Sequence, residues 1–319
     1  MQDDQPKWRD DPVDLFSDWK IEIISFNDEG VETTDTYHVH KNFLAHGSRR
    51  SKYFFRLFRS EESFTENQAS TSRIDLDPLA AQAFPVLLDF VYGSNLSITS
   101  QTATALHHLG EYFEIRPLQD TSFEFCQHDM SLDNLHAYYA SAKQLHDDNV
   151  MNLIVDYLRL KISKLSPTNP IVLQSSPDLW LRVLGLDDRR EKIEFKDTIL
   201  LSQIIAKMCM SQSEAPMDAK TFYTFTNLLT SIHSNAALDL CELDDRYSLG
   251  DDDDESDLSA LQQLCVDALS ANWTDRNKWN DEQFDKMKYR KPKFIVKVLR
   301  QTVSDATSKL PRKSHYADY

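Results

Sequence analysis

Glycine is scarce in this chain, with six in 319 residues against an average usage of about 7%. Loops that cradle phosphates or hold strained catalytic turns lean on glycine, so the scarcity points to helices joined by compact connections. Cysteine is thin as well. Cys126, Cys209, Cys241 and Cys265 stand far apart, show no metal-ligand spacing, and read as buried free thiols of a reducing compartment. Long apolar runs are missing: nothing approaches the roughly 18 residues of a membrane span. The opening MQDDQPKWRDDPVD is acidic and polar where a secretory signal would be apolar. Together these features predict a soluble protein of the cytoplasm, with the nucleus also open, and no membrane partner.

Positive charge is in deficit. Lys and Arg number 35 against 51 Asp and Glu, a formal charge of −16, and phosphate binding needs clustered cations, so nucleic acid is an unsuitable partner. Catalytic signatures are absent too: no G-x-S-x-G elbow, P-loop or G-x-G-x-x-G occurs. No catalytic residue and no cofactor are therefore assigned, and the chain is read as a non-enzyme. His38 and His40 alternate along a strand, while His107 and His108 adjoin on a helix. Nothing supplies further ligands at zinc spacing, so they read as satisfied or solvated side chains, with no metal site. The acidic run Asp251–Glu255 lacks the glycine and spaced oxygens of a calcium loop and reads as a solvated insertion. KYRKPK (288–293) is taken as the only basic cluster and as a helix boundary.

What remains is a pattern. With 41% hydrophobic residues the chain can bury real cores, and its length suggests about two domains. WKIEIISF (19–26) and ETTDTYHV (32–39), separated by NDEG, predict a hairpin. Val39 opens a switch to helical spacing through Phe43 and Leu44, and SKYFFRLFRS places Phe54, Leu57 and Phe58 on one helical face. Ile74 and Leu76 mark a short strand. Ala80, Phe84, Leu87, Leu88 and Val91 then recur at helical intervals, with Pro85 expected in the first turns and Gly93 as the stop. Ala103, Leu106, Leu109 and Phe113 mark a further helix.

Beyond residue 120 strand signals fade. SLDNLHAYYASAKQL and NVMNLIVDYLRLKISKL predict a helical hairpin, and DLWLRVL and KDTILLSQIIAKMCM predict further helices. A weak repeat relates this stretch to SNAALDLCELDDRY, LSALQQLCVDALSANW and KPKFIVKVLRQTV, which suggests stacked helical pairs. TFYTFTNLL (221–229) shows core spacing at Phe222, Phe225, Leu228 and Leu229.

Residues 13–118 resemble a BTB/POZ domain. FSDWKIEI resembles the family's opening strand, HVHKNFLA its entry into the first helix, and SKYFFRLF, SFTE, SRIDL and FPVLLDFVYG follow in the family's order. The helices after it resemble the extension called BACK. The implied architecture is an α+β BTB/POZ domain followed by an all-α BACK-like region, mainly α overall. It comprises a flexible tail (1–12), the BTB domain (13–118), a BACK-like region (119–213), a second helical repeat with an acidic loop at 250–257 (214–305), and a tail (306–319). Two departures stand out. GSRRSKYF is three residues longer than the family's usual corner, and Trp19 stands where a small aliphatic residue is common. No kelch repeat, zinc finger or MATH domain accompanies the module.

The resemblance also implies sites. Asp18 and Lys41 correspond to an acid and a base that meet at the family's homodimer interface. Leu15, Phe16, Trp19, Tyr53 and Phe54 would supply the apolar part of that surface; otherwise Asp18 and Lys41 are ordinary surface residues beside a hairpin. Phe64 and Glu66 resemble the hydrophobic-x-Glu element by which ubiquitin-ligase adaptors grip a cullin scaffold, the apolar anchor filling a pocket beside a charged acceptor. The competing reading makes Phe64 a core plug and Glu66 solvated. The implied function is a homodimeric adaptor that presents a target, held by the helical C-terminal half, to a cullin-based ubiquitin ligase. The alternative is a self-associating scaffold or transcriptional co-regulator that binds no cullin.

Overall fold

The computed structural model of the chain describes residues 8–9, 16–27, 29–59, 69–187, 190–195, 198–211, 217–247, 258–271 and 292–308. They divide by packing into two compact units, Met1–Tyr157 and Leu158–Tyr319.

Alternation builds the first unit's sheet. Strand β1 (Trp19–Phe26) turns Trp19, Ile21, Ile23 and Ser25 inward and its other residues outward, as the two-residue period of a strand requires. Strand β2 (Glu32–Val39) returns antiparallel, from Trp19↔Val39 to Phe26↔Glu32. Asn27 holds the turn, its side chain accepting from the Glu29 and Val31 N–H groups at 3.1 and 2.9 Å. Strand β3 (Thr71–Asp75) joins β1 in parallel, giving the order β2-β1-β3.

Helices α1 (Lys41–Ala45) and α2 (Lys52–Arg59) lie between the second and third strands in sequence. Helix α3 (Pro78–Val91) follows β3 and packs on β1. Its start is over-determined: Asp77 accepts from the Leu79 N–H at 2.8 Å, and Pro78 occupies the first turn, where its missing N–H costs least. Pro85 is not in the first turns, because this cap sets the start at residue 78. It sits mid-helix, where the bond to the Ala81 carbonyl is forgone. Phe84, Leu87 and Leu88 on the same helix are fully buried, and each contributes about 1.5–3 kcal/mol, which offsets that loss. The phenyl rings of Phe54 and Phe113 stack 5.4 Å apart at 8°, with Phe84 5.7 Å from Phe113. This is the centre of the core.

Helix α4 (Ala103–Tyr112) packs on α3 and on α5 (Arg116–Asp129). Gly110 permits the second contact, since a Cβ there would stand 2.7 Å from the Gln119 backbone nitrogen. Periodicity did not announce α5. Its buried stripe is only Leu118, Ser122 and Cys126, too weakly apolar to stand out. Helices α6 (Leu135–Gln144) and α7 (Asp148–Lys161) form within the two segments predicted to be helical, and α6 packs on α4. The division by packing thus keeps α5, α6 and most of α7 with the sheet, whereas the division by resemblance falls at residue 118.

The stretch 1–12 is not wholly a free tail. Trp8 lies edge-on to Tyr37, 5.5 Å away, and its indole N–H donates to Asp89 at 2.9 Å. Arg9 reaches both oxygens of the same carboxylate, at 3.2 and 2.7 Å.

In the second unit a 3-10 turn (Ile162–Lys164) leads to α8 (Pro170–Gln174), α9 (Pro177–Leu184), α10 (Ile199–Ser211), α11 (Ala219–Thr226), α12 (Ser234–Tyr247), α13 (Ala260–Ala271) and α14 (Pro292–Ser308). Helix α10 contacts α8, α11 and α12, and α13 lies against both α12 and α14. Trp180 is buried and donates to the Ser175 hydroxyl at 2.9 Å. Phe222 and Phe225 are fully buried, Phe222 stacking on Tyr247 at 4.7 Å. No helix among the described residues is long and apolar enough to cross a membrane.

Candidate interaction surfaces and a polar cleft

The corner where β1 meets α1 gathers most of the expected interface residues. Asp18 precedes β1 and accepts the Lys41 backbone N–H at 2.8 Å, so its carboxylate serves the first turn of α1, where His40 provides no side-chain cap. The Lys41 ammonium lies 4.5 Å over the Trp19 ring and 5.6 Å from that of Phe58, a cation–π arrangement. Asp18 and Lys41 therefore meet through backbone and not as an ion pair between side chains.

Trp19 and Phe54 belong to the interior of the single chain, at 2% and 0% exposure, and so present almost no side-chain surface to a second copy. The interior accommodates the Trp19 indole because its N–H finds the buried Ser72 hydroxyl at 3.1 Å; an unpartnered indole would be costly there. Phe16 stands out at 88% exposure. Tyr53 is half-buried, its ring edge-on to Phe54 and Phe113. Leu15, Phe64 and Glu66 lie outside the described residues.

The segment 41–60 is a second basic cluster, which the whole-chain charge conceals. It holds Lys41, Arg49, Arg50, Lys52, Arg56 and Arg59 and no acidic residue. Several of these cations serve the fold. Arg49 donates to the Phe90 and Ser94 carbonyls at 3.0 and 2.9 Å, bracing the end of α3. Arg56 pairs with Glu114, and Arg50 and Arg59 lie 5.2 and 4.7 Å from the Phe55 ring.

The histidines divide. The His40 N–H and Nδ1 both meet the Tyr92 hydroxyl, at 2.8 and 2.9 Å; burial pushes that phenol up to about 12. His107 is 2% exposed, and its Nδ1 lies 2.5 Å from Oδ2 of Asp147, itself 4% exposed. The other oxygen of Asp147 accepts the Val150 N–H at 3.0 Å and so caps α7. One carboxylate holds both the start of α7 and an imidazole on α4.

His107 also lines an open cleft of about 500 Å³ with Arg116, Asp120, Phe123 and Glu124 of α5 and with Asn149. The sequence reading missed it. The available signal was a histidine on the buried stripe of α4, next to Leu106, which demands a buried partner. No serine, threonine, cysteine, tyrosine or lysine lines the cleft among the described residues. Nor do three of His, Cys, Asp and Glu converge tightly enough among the described residues to hold a metal ion.

Residues 29–130, from the β1–β2 turn to the end of α5, match the family model of the BTB/POZ domain; this stretch of the chain is a BTB/POZ domain, a module through which proteins associate with themselves and with other proteins.

Proposed function

We propose that the chain is a homodimeric BTB adaptor that recruits a target protein to a cullin-based ubiquitin ligase, working in the cytoplasm or nucleus. The observation that carries this reading is the BTB match joined to a Phe64-Thr65-Glu66 element placed, in sequence, between α2 and β3. In this reading Phe64 and Glu66 engage the cullin. Phe16, Asp18, Lys41 and Tyr53, with Leu15, form the face between copies, and a BACK-like helical region carries the target. The exposed Phe16 ring supports the second assignment, because a large apolar side chain in water favours cover by another surface. The chain itself performs no chemistry. It supplies proximity, raising the effective concentration of target lysines near the transfer machinery.

Cullin pull-down with light scattering tests the proposal. Phe64→Ala with Glu66→Ala is expected to abolish cullin capture and leave a dimer. Undiminished capture refutes the assigned site, and a wild-type dimer that captures no cullin favours the self-associating scaffold.

A further inference from the structure

We infer that Tyr37 and Asp89 form a recognition site for a tryptophan–arginine pair, which the chain's own Trp8 and Arg9 keep occupied against a partner segment of the same chemistry. The inference rests on this contact alone and is independent of cullin binding and of dimerisation.

The receiving side is small and defined. Asp89 lies on α3, and its two oxygens take three donors. The Trp8 indole N–H stands at 2.9 Å, and Nε and one terminal nitrogen of Arg9 stand at 3.2 and 2.7 Å. Among the described residues no other group bonds to this carboxylate, so the body of the fold leaves Asp89 to the arm. Tyr37 of β2 supplies the apolar wall, its ring 5.5 Å from that of Trp8 and 5.1 Å from the fully buried Phe84. Trp8 is half-buried there against the first unit's core, while Arg9 stays at the surface.

The arm itself shows which ligand fits. Neighbouring side chains on an extended strand point to opposite faces, whereas Trp8 and Arg9 lie in a turn that brings both to one carboxylate. The guanidinium carbon sits 4.2 Å from the centre of the Trp8 ring, so the pair packs on itself by a cation–π contact. Lysine in place of arginine would lose the two-point hold on Asp89. Phenylalanine in place of tryptophan would lose the indole donor. Because two adjacent side chains supply these bonds, a short peptide contains the whole ligand. The attached arm excludes such a peptide through its high effective concentration.

The test uses the full chain and a fluorescein-labelled peptide QPKWRDD, residues 5–11 of the sequence, blocked at both ends and read by fluorescence polarisation. Trp8→Ala with Arg9→Ala in the full chain clears the site. This variant is expected to bind the peptide saturably, at least about tenfold more tightly than the wild type, whose tethered arm competes. Citrulline for the peptide's arginine keeps the shape and removes the charge, and alanine for its tryptophan removes the ring. Each should weaken binding to the cleared variant by about tenfold or more, as the loss of a charge-assisted hydrogen bond implies. Asp89→Asn added to the cleared variant should abolish binding, and Glu32→Gln at an exposed strand position should leave it unchanged. Absence of saturable binding by the cleared variant, equal binding by the wild type, or undiminished binding of the citrulline peptide overturns the inference. A wild-type dimer that the double alanine variant turns into a monomer, read by light scattering, would place the arm between copies and overturn it as well.

Discussion

Asp147 illustrates how much one side chain can hold. Its two oxygens serve the N-terminus of α7 and the buried imidazole of His107, so Asp147→Ala removes a helix cap and strands a buried polar ring. A lost cap costs about 1 kcal/mol and an unsatisfied buried group about 1–3 kcal/mol, so the variant should lose about 2–4 kcal/mol. Urea denaturation checks this, and a loss below half a kcal/mol would show that water replaces the carboxylate. The thiols give a second prediction. All four cysteines are buried, and burial pushes Cys126 and Cys209 up to about 12. A thiol-reactive dye at pH 8 should therefore label none of them until the chain unfolds. The folded state keeps thiol protons that the unfolded state releases, so stability falls as pH rises from the ordinary thiol range toward 12. Rapid labelling of the native protein would contradict the burial.

At the scale of elements, alternation and helical periodicity sufficed where the side chains were emphatic. β1 and β2 are the segments the sequence announced, because Trp19, Ile21, Ile23 and Val39 turn inward while Lys20, Glu22 and most of β2 face outward, and a one-residue slip would reverse the faces. Helix α5 escaped notice for the opposite reason, its buried face being leucine, serine and cysteine. The cleft built on α5 was invisible for the same cause. Its residues come from α4, α5 and the first turn of α7, and their convergence follows from the close approach at Gly110. Gly110→Ala should force α4 and α5 apart, since the new methyl would meet backbone and not a flexible side chain. A destabilisation of about 1–3 kcal/mol is expected from such overpacking, read as a fall in melting temperature, and an unchanged melt would mean that the two helices give way freely. Pro85 carries a related lesson. Its place in α3 depends on where the Asp77 cap starts the helix, so a proline alone does not mark a first turn.

For the whole molecule, bulk charge proved a blunt guide. A chain of −16 concentrates six cations and no acid between residues 41 and 60, and the fold absorbs several of them in carbonyl, aromatic and carboxylate contacts. The order of elements was legible because the resemblance rests on pieces in sequence. The outer limit of the first unit was not, because it depends on contacts across long separations that no local pattern encodes.

The clasp of Trp8 and Arg9 on Asp89 sharpens that point. A fragment begun at residue 13 would shed the indole that lies against Tyr37 and the guanidinium that pairs with a carboxylate on α3. Such a fragment should melt earlier than one begun at residue 1, and identical melting curves would reduce the clasp to ornament. Two side chains eighty or more residues away in sequence from the carboxylate they grip, Trp8 and Arg9, would carry that difference.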